Sequence, residues 1–461
     1  MKPAEDPHED GKAMSQQRGS HMFSIRNSIR ALGGALVCAS ALSFSMPASA
    51  ETTLRVFGPS SLDQLASRLP PEEQQKIQKA VIAGFIKANP DVISVVWDAQ
   101  GPQSGALQRM MTAKLGGEEI DLISCTANLT NGAYVRRGLL KPITTEIAPI
   151  KDRFDAAGIG AYTVDGQIYG APVSVMSTSA FYYNVNLFTK LGITPPKTYA
   201  EMMEASKKIS AAGVIPVLHQ GSNALLWPMW FFETLAQTSG DVIGKTSTNL
   251  AGKTKFNDPA EVQAFALIKK WVDDGVLSKD SLSVDQDGMR AAFASGKSAM
   301  YYGGTWELPS LVQNVKNFKW GVFAFPKMEG TPGEPRHGGG ASRGLCISAD
   351  IPAAKMDAAM RFIKYVTEPD VAKSYLENEA PVGSSIKGVP VVEADYAKQL
   401  RADVFPETVK FLDWIWPTEI TVATASAVAG VVGGTMTPQA AADSIQQVFD
   451  GLVADGKWTI K

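Results

Sequence analysis

Several tryptophans stand where a ligand could meet them. Trp306 ends the stretch Gly303-Gly304-Thr305-Trp306 after the run Ser298-Ala299-Met300-Tyr301-Tyr302, so a strand delivers an indole into a glycine-rich turn. Trp227 follows polar Ser222 and Asn223 at the start of an apolar helix, where unpaired backbone N–H groups can meet a ligand oxygen. Trp414 and Trp416 lie just before Pro417, at another element boundary. A flat apolar face beside polar donors suits a sugar ring, whose C–H groups pack on a π face while its hydroxyls take hydrogen bonds. The competing use of such side chains is core packing, and Trp230, inside Trp227-Pro228-Met229-Trp230-Phe231-Phe232, reads as core.

Other chemistries fail at particular positions. Gly296-Lys297-Ser298 and Gly252-Lys253-Thr254 resemble the end of a phosphate-binding loop, but Ala291 and Ser247 stand where its first glycine belongs. Ser384-Ser385-Ile386-Lys387 fits Ser-x-x-Lys without the companion motifs of that chemistry, and no nucleophile elbow is expected. His219 and His337, the histidines beyond residue 50, are far apart, and Cys-x-x-Cys and His-Glu-x-x-His are missing, so no metal or cofactor is expected. An exported glycoside hydrolase would need paired carboxylates; Asp121 reads as buried in a strand, and Glu307, beside Trp306, has no evident partner in the sequence.

These residues must be positioned by a large chain. Its 461 residues are 45% hydrophobic and 20% charged, a globular composition, and 44 Lys+Arg against 46 Asp+Glu leave a net charge of −2. No basic field exists to hold nucleic acid. Arg26 and Arg30 precede an apolar run from Ala31 to Phe44 and then Ala48-Ser49-Ala50, the pattern of a secretory signal with cleavage expected after Ala50. That run is shorter than the roughly 20 residues of a membrane-spanning helix, so an exported, soluble protein is expected, and it is expected to be a monomer. Cys38 falls in the leader, and Cys125 and Cys346 are free to form one bridge or none.

After the leader, residues 54–57, 92–97 and 120–124 read as strands and residues 71–88 and 107–115 as helices. This β-α-β-α-β order implies an α/β fold with a parallel sheet, and ligands in such sheets sit beyond the carboxyl ends of the strands. The loops after Phe57 and Ser124 are thereby nominated. Thr198 with Glu201 forms a capping box, and Asp258-Pro259 marks a second helix start. Helices are also expected over 356–366, 369–378 and 438–453. The length exceeds what a single core supports, about 250 to 300 residues, so two lobes are expected.

Longer motifs carry a family resemblance. Asp165-Gly166-Gln167-Ile168-Tyr169-Gly170-Ala171-Pro172, Phe181-Tyr182-Tyr183-Asn184 with Leu187-Phe188, and Gly192-Ile193 before Pro195-Pro196-Lys197-Thr198-Tyr199 resemble extracellular solute-binding proteins of sugar-type ABC importers, the maltose-binding-protein-like group. Phe293 to Trp306, Phe325-Pro326-Lys327 and Gly338-Gly339-Gly340 are similar to further hallmarks of that family. The resemblance implies a two-lobed periplasmic-binding-protein fold, each lobe a mainly parallel sheet flanked by helices. Three interlobe crossings are implied near 177–180, 303–306 and 342–347. Lobe 1 would comprise 51–178 plus 303–345, and lobe 2 would comprise 179–302 plus 346–461.

By the same resemblance the ligand is a carbohydrate and the partner a membrane permease. Trp306 with Gly304 would stack on the sugar, and Trp227, Ser222, Asn223 and Trp416 would wall the second lobe. Ser60, Ser61, Thr126 and Asn128 would line the first. Asn128 stands near a position where the family often has an acid; an amide keeps the hydrogen bonds and drops the charge. Ser342 and Arg343 lie near the third crossing, and the arginine fork, if it faces the cleft, suits a phosphate, sulfonate or uronate. A polyol or glycerol-phosphate-type ligand on the same fold is the alternative.

Overall fold

The computed structural model describes residues 51–58, 71–99, 105–377 and 382–460. The leader, its cleavage site, and Ser60 and Ser61 lie outside the described residues. In chain order the strands are β1 (Thr52–Gly58), β2 (Val92–Ala99), β3 (Leu122–Thr126), β4 (Leu140–Lys141), β5 (Thr163–Val164), β6 (Gln167–Ile168), β7 (Gly170–Pro172), β8 (Met176–Asn184), β9 (Ile215–Leu218), β10 (Ser298–Gly304), β11 (Trp320–Phe323), β12 (His337–Ala341), β13 (Arg343–Ser348) and β14 (Thr408–Val409).

The opening β-α-β-α-β unit forms as its periodicity requires. Helix Pro71–Ala88 buries Val81 and Phe85, and Phe85 meets Phe362 edge-on with ring centroids 5.0 Å apart. Strand β1 pairs in parallel with β2 and β3. At Thr198 the expected capping box is complete, with the Glu201 N–H donating to Thr198 Oγ1 and the Thr198 N–H donating to Glu201 Oε2, both at 3.3 Å. Asp258 does precede the Pro259–Asp273 helix, but its carboxylate accepts from Lys245 Nζ (2.8 Å) and the Lys255 N–H (3.1 Å) instead of capping the helix.

Among the described residues the strands form two six-stranded sheets and the β5–β6 hairpin. The first sheet runs β2-β1-β3-β13-β4 with β7 on β13; the second runs β14-β12-β8-β10-β9 with β11 on β8. Each defines an α/β lobe. Both sheets are mixed where mainly parallel ones are expected: β13 is antiparallel to β3, β4 and β7, and β8 is antiparallel to β10, β11 and β12. Both β8 and β13 begin just after a passage from the other sheet.

The division of the chain also differs from expectation. Gly303–Trp306 is not a passage between sheets, because β10 leads through Thr305 into helix Leu308–Asn314 beside the second sheet. Strands β11 and β12, placed with the first lobe from sequence, pair with β8 in the second. Helices Ala353–Val366 and Pro369–Leu376, placed with the second lobe, pack on β1 and the Pro71–Ala88 helix of the first. The chain passes between the sheets at 173–175, at Ser342, and after the Pro369–Leu376 helix.

These passages lie side by side. The Val173 N–H donates to the Arg343 carbonyl at 3.0 Å, and the Met176 N–H donates to the Gly383 carbonyl at 2.8 Å. Ser177 Oγ donates to the Gly340 carbonyl at 3.0 Å. Gly340 has φ +124°, a backbone state that L side chains rarely adopt, one residue before Ala341 ends β12.

A disulfide joins Cys125 of β3 to Cys346 of β13, positions 221 residues apart in sequence, across neighbouring strands of the first sheet. It closes a very long loop, and by the chain-entropy account such a bond contributes about 2–5 kcal/mol. Replacing both cysteines by serine is therefore expected to lower the denaturant midpoint by that amount of stability, measured by urea unfolding of the oxidised protein and the variant side by side.

Candidate functional site

The passages line a cavity of about 450 Å³ between the lobes. Arg343 and Leu376 come from the first lobe, Ser174, Val175 and Ser342 from the passages, and Phe232, Trp306, Phe411, Asp413 and Trp414 from the second lobe. Trp306 is 37% exposed, unusual for an indole in this molecule. Its ring lies 6.2 Å from that of Phe411, which meets Trp414 edge-on at 5.3 Å, so three aromatic rings follow one another around the wall.

Local structure explains how Trp306 is held. Tyr182 OH donates to the Gly304 carbonyl at 2.9 Å, and the Thr178 N–H donates to Thr305 Oγ1 at 3.3 Å, which pins the turn at the end of β10. A Cβ on Gly304 would lie 2.1 Å from the Trp306 ring. Gly304 thus serves the site by making room for the indole.

Arg343 opens β13 opposite Thr126 of β3, its N–H donating to Ser174 Oγ at 3.2 Å. The backbone of the first passage therefore fixes where the guanidinium starts. Asp413 sits in the turn Leu412–Trp414, partly exposed to the cavity and closely packed by aromatic neighbours. Desolvation pushes its carboxyl from 3.8 up to about 6. The cavity accordingly combines flat apolar faces with one base and one acid.

Of the residues nominated from sequence, Trp306, Ser342 and Arg343 line this cavity, and Gly304 lies directly under Trp306. Trp227 does not line it: it is 0% exposed, donates from Nε1 to the Gly221 carbonyl at 3.0 Å and packs on the His219 ring. The turn Ala224–Leu226 carries Leu225 and Leu226 to the wall instead, leaving Ser222 and Asn223 exposed ahead of it. Trp416 is 2% exposed and packs against Phe231 and Phe256; the cavity tryptophan of that segment is Trp414. Thr126 and Asn128 stand at the carboxyl end of β3, outside the cavity wall, with Thr126 buried beside Arg343.

Asp413 and Phe411 were not foreseen, although an acid between two aromatics before a Trp-x-Trp-Pro stretch was a usable signal. The nucleophile-elbow expectation also needs correction, since Gly340-Ala341-Ser342-Arg343-Gly344 spells Gly-x-Ser-x-Gly. Ser342, however, joins two strands, whereas an elbow serine sits on a strand-to-helix turn. Glu307 has partners after all: Arg290 Nε donates to Oε2 at 2.7 Å, and Gln286 and Gln220 donate to Oε1 at 2.7 and 3.2 Å. Asp121 accepts from the Arg55 N–H at 2.8 Å and from Lys355 Nζ at 3.1 Å. His219 is buried, its imidazole pushed down to about 4 by desolvation, with Nδ1 3.2 Å from the Tyr302 carbonyl. Among the described residues no group of three or more His, Cys, Asp or Glu gathers as a metal site, and no helix is long and apolar enough to cross a membrane.

Two α/β lobes, joined by adjacent passages and enclosing an aromatic cavity, define a cleft-type protein built to take up a small ligand. Residues 80–402, well over half of the chain, match the bacterial extracellular solute-binding protein family, and the chain belongs to that family. A multiple sugar-binding protein of Streptococcus mutans serotype c is 25% identical over 334 residues, 69% of this chain and 74% of that protein. The sn-glycerol-3-phosphate-binding periplasmic protein of Brucella abortus is 26% identical over 257 residues, which span 54% of this chain and 55% of that protein. A solved chitin oligosaccharide binding protein superposes with a TM-score of 0.68 at 24% identity, covering 87% of this chain and 98% of its own.

Two outcomes test the site. Gly304→Ala should displace the indole and weaken ligand binding nearly as much as Trp306→Ala, read by titration of intrinsic fluorescence. Asp413 carries a raised carboxyl, so in the ligand-free protein it costs stability once pH rises through the interval from 3.8 to about 6, and protonation restores it below that interval. Asp413→Asn is therefore expected to raise the melting temperature at pH 7.5 and to change it little at pH 4, measured by thermal shift at both pH values.

Proposed function

We propose that this chain is the periplasmic substrate-binding component of a carbohydrate ABC importer, exported by its leader and delivering its ligand to a membrane permease. The observation that carries the reading is the aromatic wall of Trp306, Phe411 and Trp414, with the Asp413 carboxylate set among them, lining a cavity of about 450 Å³. Aromatic faces take the C–H face of a pyranose, and a carboxylate accepts two hydroxyl hydrogens from one sugar edge. The names of the streptococcal relative and of the chitin oligosaccharide protein support the same ligand class.

Capture works by differential contact. Arg343 belongs to the first lobe and Ser342 to a passage, while Trp306 and Asp413 belong to the second lobe, so a ligand touching both lobes favours the arrangement in which all of them reach it. The permease then reads that arrangement. A hydrolytic role is disfavoured because Asp413 is the carboxylate among the described residues lining the cavity, whereas glycoside hydrolysis uses two.

Arg343 in the cavity and the glycerol-phosphate-binding relative favour a second reading, a phosphorylated polyol. Asp413 weighs against it, because a carboxylate in a shared low-dielectric space repels a phosphate. Titrating the protein with neutral oligosaccharides, polyols and sn-glycerol 3-phosphate decides between them. On the carbohydrate reading, a neutral sugar binds, Trp306→Ala weakens it at least about tenfold, equivalent to 1.4 kcal/mol, and Arg343→Ala weakens it less. Selective binding of the phosphate ester, lost in Arg343→Ala, would replace that reading with the second.

A further inference from the structure

The indole of Trp306 has a second neighbourhood. Outside the cavity, helices Gln286–Ala294 and Leu308–Asn314 enclose a groove of about 510 Å³, and Trp306 and Pro309 line both spaces. We propose that the ligand is an oligosaccharide long enough to pass over Trp306, with its outer unit held in this groove. The inference rests on the carbohydrate reading of the cavity and extends it to chain length.

The groove has the chemistry of a saccharide subsite. Ala291 and Ala294 supply a small apolar surface, and Ser310, Gln313 and Asn314 supply a hydroxyl and two amides that both donate and accept. Asn314 Nδ2 donates to Ser310 Oγ at 3.0 Å, which orients the amide along the helix. The charge of Arg290 is engaged by Glu307 at 2.7 Å and Asp287 at 3.2 Å, so an ionic ligand finds no uncompensated partner in it. What remains for a ligand is the hydroxyl, the two amides and the exposed edge of the Asp287 carboxylate, beside an aromatic edge.

The groove is also pre-shaped. Glu307, fully buried between Trp306 and the second helix, accepts from Gln286 and Arg290 of the first helix. This buried carboxylate ties the two helices together at the residue adjoining the tryptophan. Walls held in place before binding lose little entropy when a ligand arrives, so even a few hydrogen bonds there contribute to affinity. Tying the walls to the residue beside Trp306 also keeps cavity and groove in register, which a ligand spanning both requires.

The test is calorimetric titration of the purified protein with malto-, xylo- and chito-oligosaccharides from mono- to hexasaccharide. In the series that binds, affinity should rise by about fivefold or more between the length that fills the cavity and longer members. Gln313→Ala/Asn314→Ala, two exposed side chains whose loss should leave the melting temperature unchanged, should abolish that rise while leaving the shorter ligand's affinity intact. Trp306→Ala should weaken every length. Affinity independent of length in the unaltered protein, or a rise that persists in the double variant, would overturn the groove assignment and leave the cavity reading standing. Failure of every series to bind would overturn the carbohydrate reading itself, and the groove with it.

Discussion

The structure depends on backbone segments laid side by side between two sheets. One residue, Ser342, separates a strand of the second sheet from a strand of the first, and Gly340 supplies the backbone freedom just before it. The segment around 173–177 is hydrogen-bonded to it on one side and to Gly383 on another. Two of the passages, at 173–175 and at Ser342, join strand directly to strand. The same residues form part of the cavity wall, so a ligand there acts on the torsions that set the lobes' relation.

Around that frame, the second lobe is built from aromatic packing. Phe181 stacks nearly parallel with Trp271 and Phe323, while Trp230 meets Tyr302 and Trp271 edge-on. Such contacts make a dense, unyielding base. On its rim the same residue types are left partly uncovered, in Trp306, or set beside a carboxylate destabilised by burial, in Asp413. Local sacrifices of this kind are what a binding site imposes on an otherwise well-packed lobe.

Much of this was legible in the sequence. The opening α/β unit, the capping box at Thr198 and the delivery of Trp306 by a strand follow from local periodicity and turn chemistry, and local rules act over a few residues. The choice between Trp414 and Trp416 was not legible, because it depends on a single turn that points one indole to the cavity and the other into the core. Trp227 illustrates the same limit: a helix-start position looked available to a ligand, while the loop just before it folds back so that His219 and Gly221 enclose the indole. The division of the chain into lobes differs over 303–341 for a related reason. Strand partners set that division, and β11 and β12 find theirs in β8, more than a hundred residues earlier.

The disulfide adds a temporal dimension to this discontinuous lobe. Cys125 lies in a part of the first sheet contributed early in the chain, and Cys346 arrives only after the residues that build most of the second lobe. An exported chain emerging amino end first therefore holds Cys125 without its native mate until the second sheet is nearly all across. Oxidation at this pair then requires the chain through Cys346: one that ends earlier keeps Cys125 as a thiol. The bond that braces the finished molecule is thus also the point at which an unfinished one is chemically marked.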